Sequence, residues 1–209
     1  MKIKKIMILF ILILASITYA STVNVSADDI SGKEKYYVLR NNVKIKKEDI
    51  NIITNSATIN IINEEWDNLL AEDIKINSET FDSNAEELFF DLKEEKGELK
   101  NNVETKIKID EEIMTIKCDI MNFDNKNKSY QGESENIVKI IKSDYNIQAK
   151  KFSYKEEENV LYLEGDVYIL NEKKKMELKS QQATFNTKTN EMKATKVNLT
   201  LEVEDKKED

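Results

Sequence analysis

The 209-residue chain reads as all-β: an antiparallel β-jellyroll, or open folded sheet, of about 15 short strands built from five units of about 30 residues. Three observations predict this. Apolar and polar residues alternate from Lys35 onward, as in Met176-Glu-Leu178-Lys, Ala183-Thr-Phe185-Asn and Val197-Asn-Leu199-Thr-Leu201-Glu-Val203. A period of two marks strands with one buried face. Polar clusters at 124–128, 155–159 and 186–190 supply the Asn and Asp that tolerate turn conformations in a chain with four glycines and no proline. Short V/I-x-I steps begin at Val43, Ile74, Val103, Val138, Val167 and Val197, spaced by 31, 29, 35, 29 and 30 residues.

Taken in order, the chain opens on a basic segment, Met1-Lys-Ile-Lys-Lys5, and an apolar run from Ile6 to Ala20 ending in small residues. Residues 1–27 read as a secretory signal, cleaved after Ala20 or, preferably, Ala27. Fifteen apolar residues fall short of the roughly 20 that cross a bilayer, so a retained anchor is the second reading. The corresponding locations are the periplasm or, if anchored, the inner membrane facing the periplasm. Residues 28–35 form a short N-terminal segment with room for a brief helix. The β domain covers 36–203, and 204–209 is a charged tail. Within the domain, Ile61 to Ile74 and Ser83 to Leu99 carry apolar residues at helical spacing. The repeat register outranks that local pattern, because Leu88-Phe-Phe-Asp-Leu92, a turn at 93–97 and Glu98-Leu99 fall where strand, turn and strand precede Val103.

Composition removes most chemistry. There is no histidine and only one cysteine, Cys118, so imidazole catalysis, disulfide frameworks and the usual zinc sites are absent. No two glycines have the spacing of a phosphate-cradling loop. Neither an enzyme nor a cofactor or metal site is expected; with 40 acids, runs such as Asp110-Glu111-Glu112 arise freely. Without residues 1–27, which hold Lys2, Lys4 and Lys5 and no acid, the formal charge moves from −8 to −11. That sign excludes a phosphate-tracking surface, so no nucleic-acid partner is expected. Lys173-Lys174-Lys175, bracketed by Glu172 and Glu177, reads as a solvated turn.

The unit Leu163-Glu-Gly-Asp-Val-Tyr-Ile169, Met176-Glu-Leu-Lys-Ser-Gln-Gln-Ala-Thr-Phe-Asn186 and Asn190-Glu-Met-Lys-Ala194 resembles the OstA-like repeat of lipopolysaccharide-transport bridge proteins of the LptA and LptC type. The resemblance covers about residues 38–203, most closely 149–203. It departs from the pattern at 63–70, which holds Trp66, and at 129–136, where the turn is enlarged. It implies an open, V-shaped β-jellyroll that holds lipid acyl chains between two sheets. Such a protein would stack end to end with other Lpt-type jellyrolls or with itself, and would carry lipopolysaccharide without catalysis.

Strand parity turns one set of side chains inward. The groove implied by the resemblance would be lined by Ile107, Ile109, Ile116, Ile120, Ile147, Phe152, Leu163, Val167, Ile169, Met176, Leu178 and Phe185. The same residues would equally make a closed, dry core, since alternation reports burial and not what is buried against it. Val197 shares that parity. Trp66 is expected as a half-buried anchor and Cys118 as a buried free thiol acting as a small hydrophobe. A structural or adhesive β-repeat protein without lipid is the second functional class.

Overall fold

Asn41-Asn42-Val43, Asp73-Ile74, Asn101-Asn102-Val103 and Gly165-Asp166-Val167 share one backbone feature. Asn41, Asn42, Asp73, Asn101, Asn102, Gly165 and Asp166 all have φ between 48° and 76°. Glycine enters this left-handed region freely, and Asn and Asp enter it at less cost than other residues. At each place a long strand bends without leaving its ladder. Pairing resumes on the far side after a register shift, as between Arg40 and Val43, Lys100 and Val103, and Glu164 and Val167. The recurring V/I-x-I step is thus the first stretch after a corner.

The computed structural model describes residues 22–201. Its strands are β1 (Val23–Ser26), β2 (Asp29–Lys33), β3 (Tyr36–Lys47), β4 (Ile50–Ile62), β5 (Glu65–Asn77), β6 (Phe81–Asp91) and β7 (Lys96–Ile109). They continue as β8 (Glu112–Asp124), β9 (Ser129–Lys142), β10 (Tyr145–Lys155), β11 (Val160–Asn171), β12 (Met176–Asn186), β13 (Met192–Thr195) and β14 (Asn198–Leu201). All belong to one antiparallel sheet in which β3 to β12 follow each other in chain order. The two short strands β1 and β2 cap β3, and β13 and β14 cap β12.

The all-β, open-sheet expectation holds, but the strands are longer than the short ones expected from the sequence. Each of β3 to β12 has 11 to 14 residues, because it runs straight through its corner. The recurrence near 30 residues is therefore a pair of long bent strands and not three short ones, and the unbroken ladder has no boundary on which a count of units could rest. Residues 29–33 are strand, not helix. The stretches with helical spacing are β4–β5 and β6–β7, as the repeat register requires. Most of the proposed signal segment and the 204–209 tail lie outside the described residues. Val23–Ser26 do not: they pair with Lys44–Lys47, so the boundary after Ala27 falls between β1 and β2.

The corners fold the sheet into two legs that face each other. Phe81 opens β6 and Phe123 nearly closes β8, yet their rings sit 5.1 Å apart; Tyr145 at the start of β10 meets Phe185 near the end of β12 at 5.0 Å. A corner also resets parity. In the even strands the inward set steps by three residues across it, from Cys118 to Met121 and from Ala149 to Phe152. This corrects two expectations. Ile120 follows the shift between Lys117 and Ile120, so it lies half-exposed between inward Cys118 and Met121. Val197 lies between β13 and β14 and is 39% exposed.

Three of the four glycines sit opposite an aromatic ring: Gly32 against Tyr37, Gly97 against Phe123 and Gly132 against Phe152. A Cβ on Gly97 would stand 2.2 Å from the Phe123 ring. The missing side chain gives the ring a place to lie flat on the backbone, which stabilises an otherwise weak strand position.

Candidate functional site

The eleven other predicted groove residues are buried. Ile107, Ile109, Ile116, Ile147, Phe152, Leu163, Val167, Ile169, Met176, Leu178 and Phe185 all face the space between the legs. They belong to one contiguous core that runs from Leu39 in β3 to Phe185 in β12. Cys118 is part of it, and burial first, with Asp119 second, pushes its thiol up to about 12. Trp66 is half-buried, 6.0 Å from Tyr37, as an anchor at the start of β5.

The slit where the two legs end is the part that the sequence did not show. One rim carries the turns at 48–49, 78–80 and 110–111; the other carries those at 92–95, 125–128 and 187–190. Side chains reach across it. Asn125 Nδ2 donates to Asp49 Oδ1 at 2.9 Å and to Glu95 Oε2 at 3.2 Å, and Lys47 Nζ lies 3.7 Å from Glu95 Oε1. Thr80 Oγ1 and the Tyr130 hydroxyl are 3.1 Å apart, and Lys188 Nζ lies 3.2 Å from Asp110. Just inside stand Phe81, Phe123, Tyr130, Tyr145 and Phe185. The turns themselves are shaped by Asx caps: Asp91 Oδ1 accepts from the Lys93 and Glu94 amides, and Asn186 Oδ1 from those of Lys188 and Thr189. Lys142 closes the same rim, fully enclosed and paired with Glu112, and burial lowers its ammonium pKa.

Tyr130 also donates to Glu156 Oε1, at 3.5 Å. Burial raises the Glu156 carboxyl above its ordinary range, against the pull of Lys128 and of Tyr130. The folded chain therefore binds that proton more tightly than the unfolded one, and ionised Glu156 lowers stability once the pH is above both values. A Glu156→Gln variant should melt at a higher temperature than the parent at pH 7. The gap should narrow as the pH falls through the carboxylate range, which thermal scans across that range would check.

The interior and its latched slit define a class: a folded-sheet β-jellyroll built around an apolar interior. The family enters through the C-terminal stretch, where residues 121–200 match the family described as lipopolysaccharide-assembly, LptC-related. That match covers the segment whose repeat resembles the OstA-like unit, and it bears the resemblance out. Among solved structures, the chain is similar to LptH, the LptA-homologous periplasmic component of the lipopolysaccharide transport device of Pseudomonas aeruginosa. The identity is 8%, the coverage 87% of this chain and 96% of that one, and the TM-score 0.26, a level that adds no functional weight. No curated protein matches the sequence.

Proposed function

We propose that this protein is a non-catalytic component of lipopolysaccharide transport that shields acyl chains between its two legs and passes them along its sheet. The observation that carries the reading is the uninterrupted apolar interior, one core shared by ten successive strands, in a stretch overlapping the LptC-related match. The buried aromatic residues at the slit close the interior, so cargo would have to part the legs. The acidic surface gives no general attraction for anionic headgroups, so the sugars would stay in solvent while the chains are covered. The sheet's terminal edges support end-to-end stacking on Lpt-type jellyrolls or on a second copy. Leu199 and Leu201 pair with inward-facing Leu178 and Met176, yet they are 52% and 55% exposed at the C-terminal end of the core. Periplasmic placement, by a cleaved signal or a retained anchor, belongs to the same reading.

A photo-crosslinking residue at Leu178 or Phe185 tests it. These two face the interior, whereas Lys179 and Thr184 on the same strand face outward. Expression in a lipopolysaccharide-producing host should yield lipid adducts at Leu178 and Phe185 and none at Lys179 and Thr184, read by mass spectrometry of the intact protein. Adducts at neither inward position would favour a structural β-repeat protein without cargo.

A further inference from the structure

The inward row nearest the slit changes character part-way along the sheet. Register places Ile107, Met114, Lys142, Tyr145, Asn171 and Met176 side by side from β7 to β12. All six are buried, and the three in the middle are polar. A hydrocarbon in place of a buried ammonium would hold the legs together without a desolvation cost, so stability alone does not account for Lys142. Lys47 and Lys142 are the buried cations among the described residues, and they are spent differently. Lys47 meets Glu95, itself buried, across the slit. Lys142 meets Glu112, whose side chain is 55% exposed, and the Ser143 hydroxyl at 3.1 Å. Glu112 can therefore swing into water and leave the ammonium to another anion. A second cation stands beside it. Lys174, in the β11–β12 turn, donates from Nζ to the Tyr145 hydroxyl at 2.9 Å and lies 5.5 Å from the centre of that ring, while its amide donates to Asn171 Oδ1 at 2.8 Å. Among the described residues no carboxylate pairs with its Nζ, whereas Lys173 is held by Asp144 at 2.8 Å. The other acids of this rim are engaged or exposed: Asp110 holds Lys188, Glu177 holds Lys179, and Glu111 and Glu172 are exposed.

We infer that Lys142, Tyr145 and Lys174 form a subsite for the phosphate group on the head of an acylated lipid, an assignment that rests on the lipid-carrier reading and deepens it. The donors select the group. Two ammoniums and a phenol hydroxyl stand side by side, and a phosphate monoester brings three strong acceptor oxygens and a charge of about −1.5 to −2, where a carboxylate brings two oxygens and a single charge. Position selects the bearer. The row is the last inward one before the turns, and Tyr145 lies edge-on to Phe185 at 5.0 Å, so a phosphate here would sit at the boundary between water and the space that takes the chains. An incoming phosphate would take over Lys142 as Glu112 leaves, so no buried charge is left unpaired at any stage. The acidic surface as a whole attracts no anion; this stretch of the rim is a local exception, and it would fix which end of the cargo faces the turns.

Capture by a photoreactive residue at Leu178, measured against the concentration of lipid A and of the same lipid stripped of its phosphates, both in one neutral detergent, tests the assignment. The parent should reach half-saturation at an at least about tenfold lower concentration of the phosphorylated lipid. Lys142→Met and Lys174→Ala should each remove most of that preference while capturing the stripped lipid as the parent does. Glu112→Gln, which takes away the competing anion, should widen it, and Lys173→Ala, outside the row, should leave it unchanged. Methionine keeps the length of Lys142 without its charge, and exposed Glu112 is not stranded, so a single sharp thermal transition would show that the variant folds. Equal half-saturation by the two lipids in the parent, or a preference that survives both lysine substitutions, would overturn the subsite and leave the carrier reading standing. Capture of neither lipid would overturn both. Loss of the preference when inorganic phosphate is added at the concentration of the lipid would also overturn it, reassigning the row to a free anion.

Discussion

Phe185→Asp is expected to abolish cooperative folding. Phe185 is fully enclosed, edge-on to Tyr145 across the two legs. Losing a buried phenylalanine ring costs about 3–5 kcal/mol by itself. The aspartate adds a carboxylate with no cation supplied to meet it, at a cost of several kcal/mol more. A domain held by about 5–15 kcal/mol does not survive both. Far-UV circular dichroism should show loss of β signal at 25 °C, whereas Phe185→Leu, which keeps most of the volume, should retain a single thermal transition at a lower midpoint. If Phe185→Asp kept its β signal and a sharp transition, the space between the legs would have to admit water, and the closed interior described above would be wrong.

Much of this interior was legible because alternation is a local signal. Ile107, Ile109, Ile116 and Ile147 could be placed facing inward from their neighbours alone, and each is buried. The corners were legible only in part. Asn41-Asn42, Asn101-Asn102 and Gly165-Asp166 announce left-handed backbone, but nothing in the composition says that the strand continues past it. Strand length was therefore underestimated, and Ile120 was placed inside by carrying parity through a bulge that resets it. The slit was hidden for another reason. Asp49 and Asn125 are 76 residues apart and meet only once the sheet has folded on itself. A polar residue in a turn has no sequence pattern that names its distant partner. The inward row of Lys142, Tyr145 and Asn171 is likewise a property of register across three strands, and no single stretch of sequence contains it.

Bridging the slit should abolish lipid uptake while leaving the fold intact. The energies favour a slit that yields to cargo. An exposed ion pair such as Lys188–Asp110 contributes about 0–1 kcal/mol, and a hydrogen bond such as Asn125 to Asp49 about 0.5–1.5 kcal/mol. Covering an acyl chain of a dozen carbons yields on the order of 10 kcal/mol at about 0.8 kcal/mol per methylene. Acyl insertion therefore outweighs the polar latches, and the larger resistance comes from parting Phe81, Phe123, Tyr130, Tyr145 and Phe185. Cysteines at Asp110 and Lys188, joined by a short reducible thiol-to-thiol linker, would hold the rims together. Cys118 would stay silent in this experiment, since its buried thiol, pushed up to about 12, is protonated at working pH. Lipid crosslinking through a photoreactive residue at Leu178 should then fall at least about tenfold and return when the linker is reduced, which would place entry at the slit and make the legs the moving parts. Undiminished crosslinking in the bridged protein would instead send the chains in along the sheet axis, past the exposed Leu199 and Leu201, where no leg has to move.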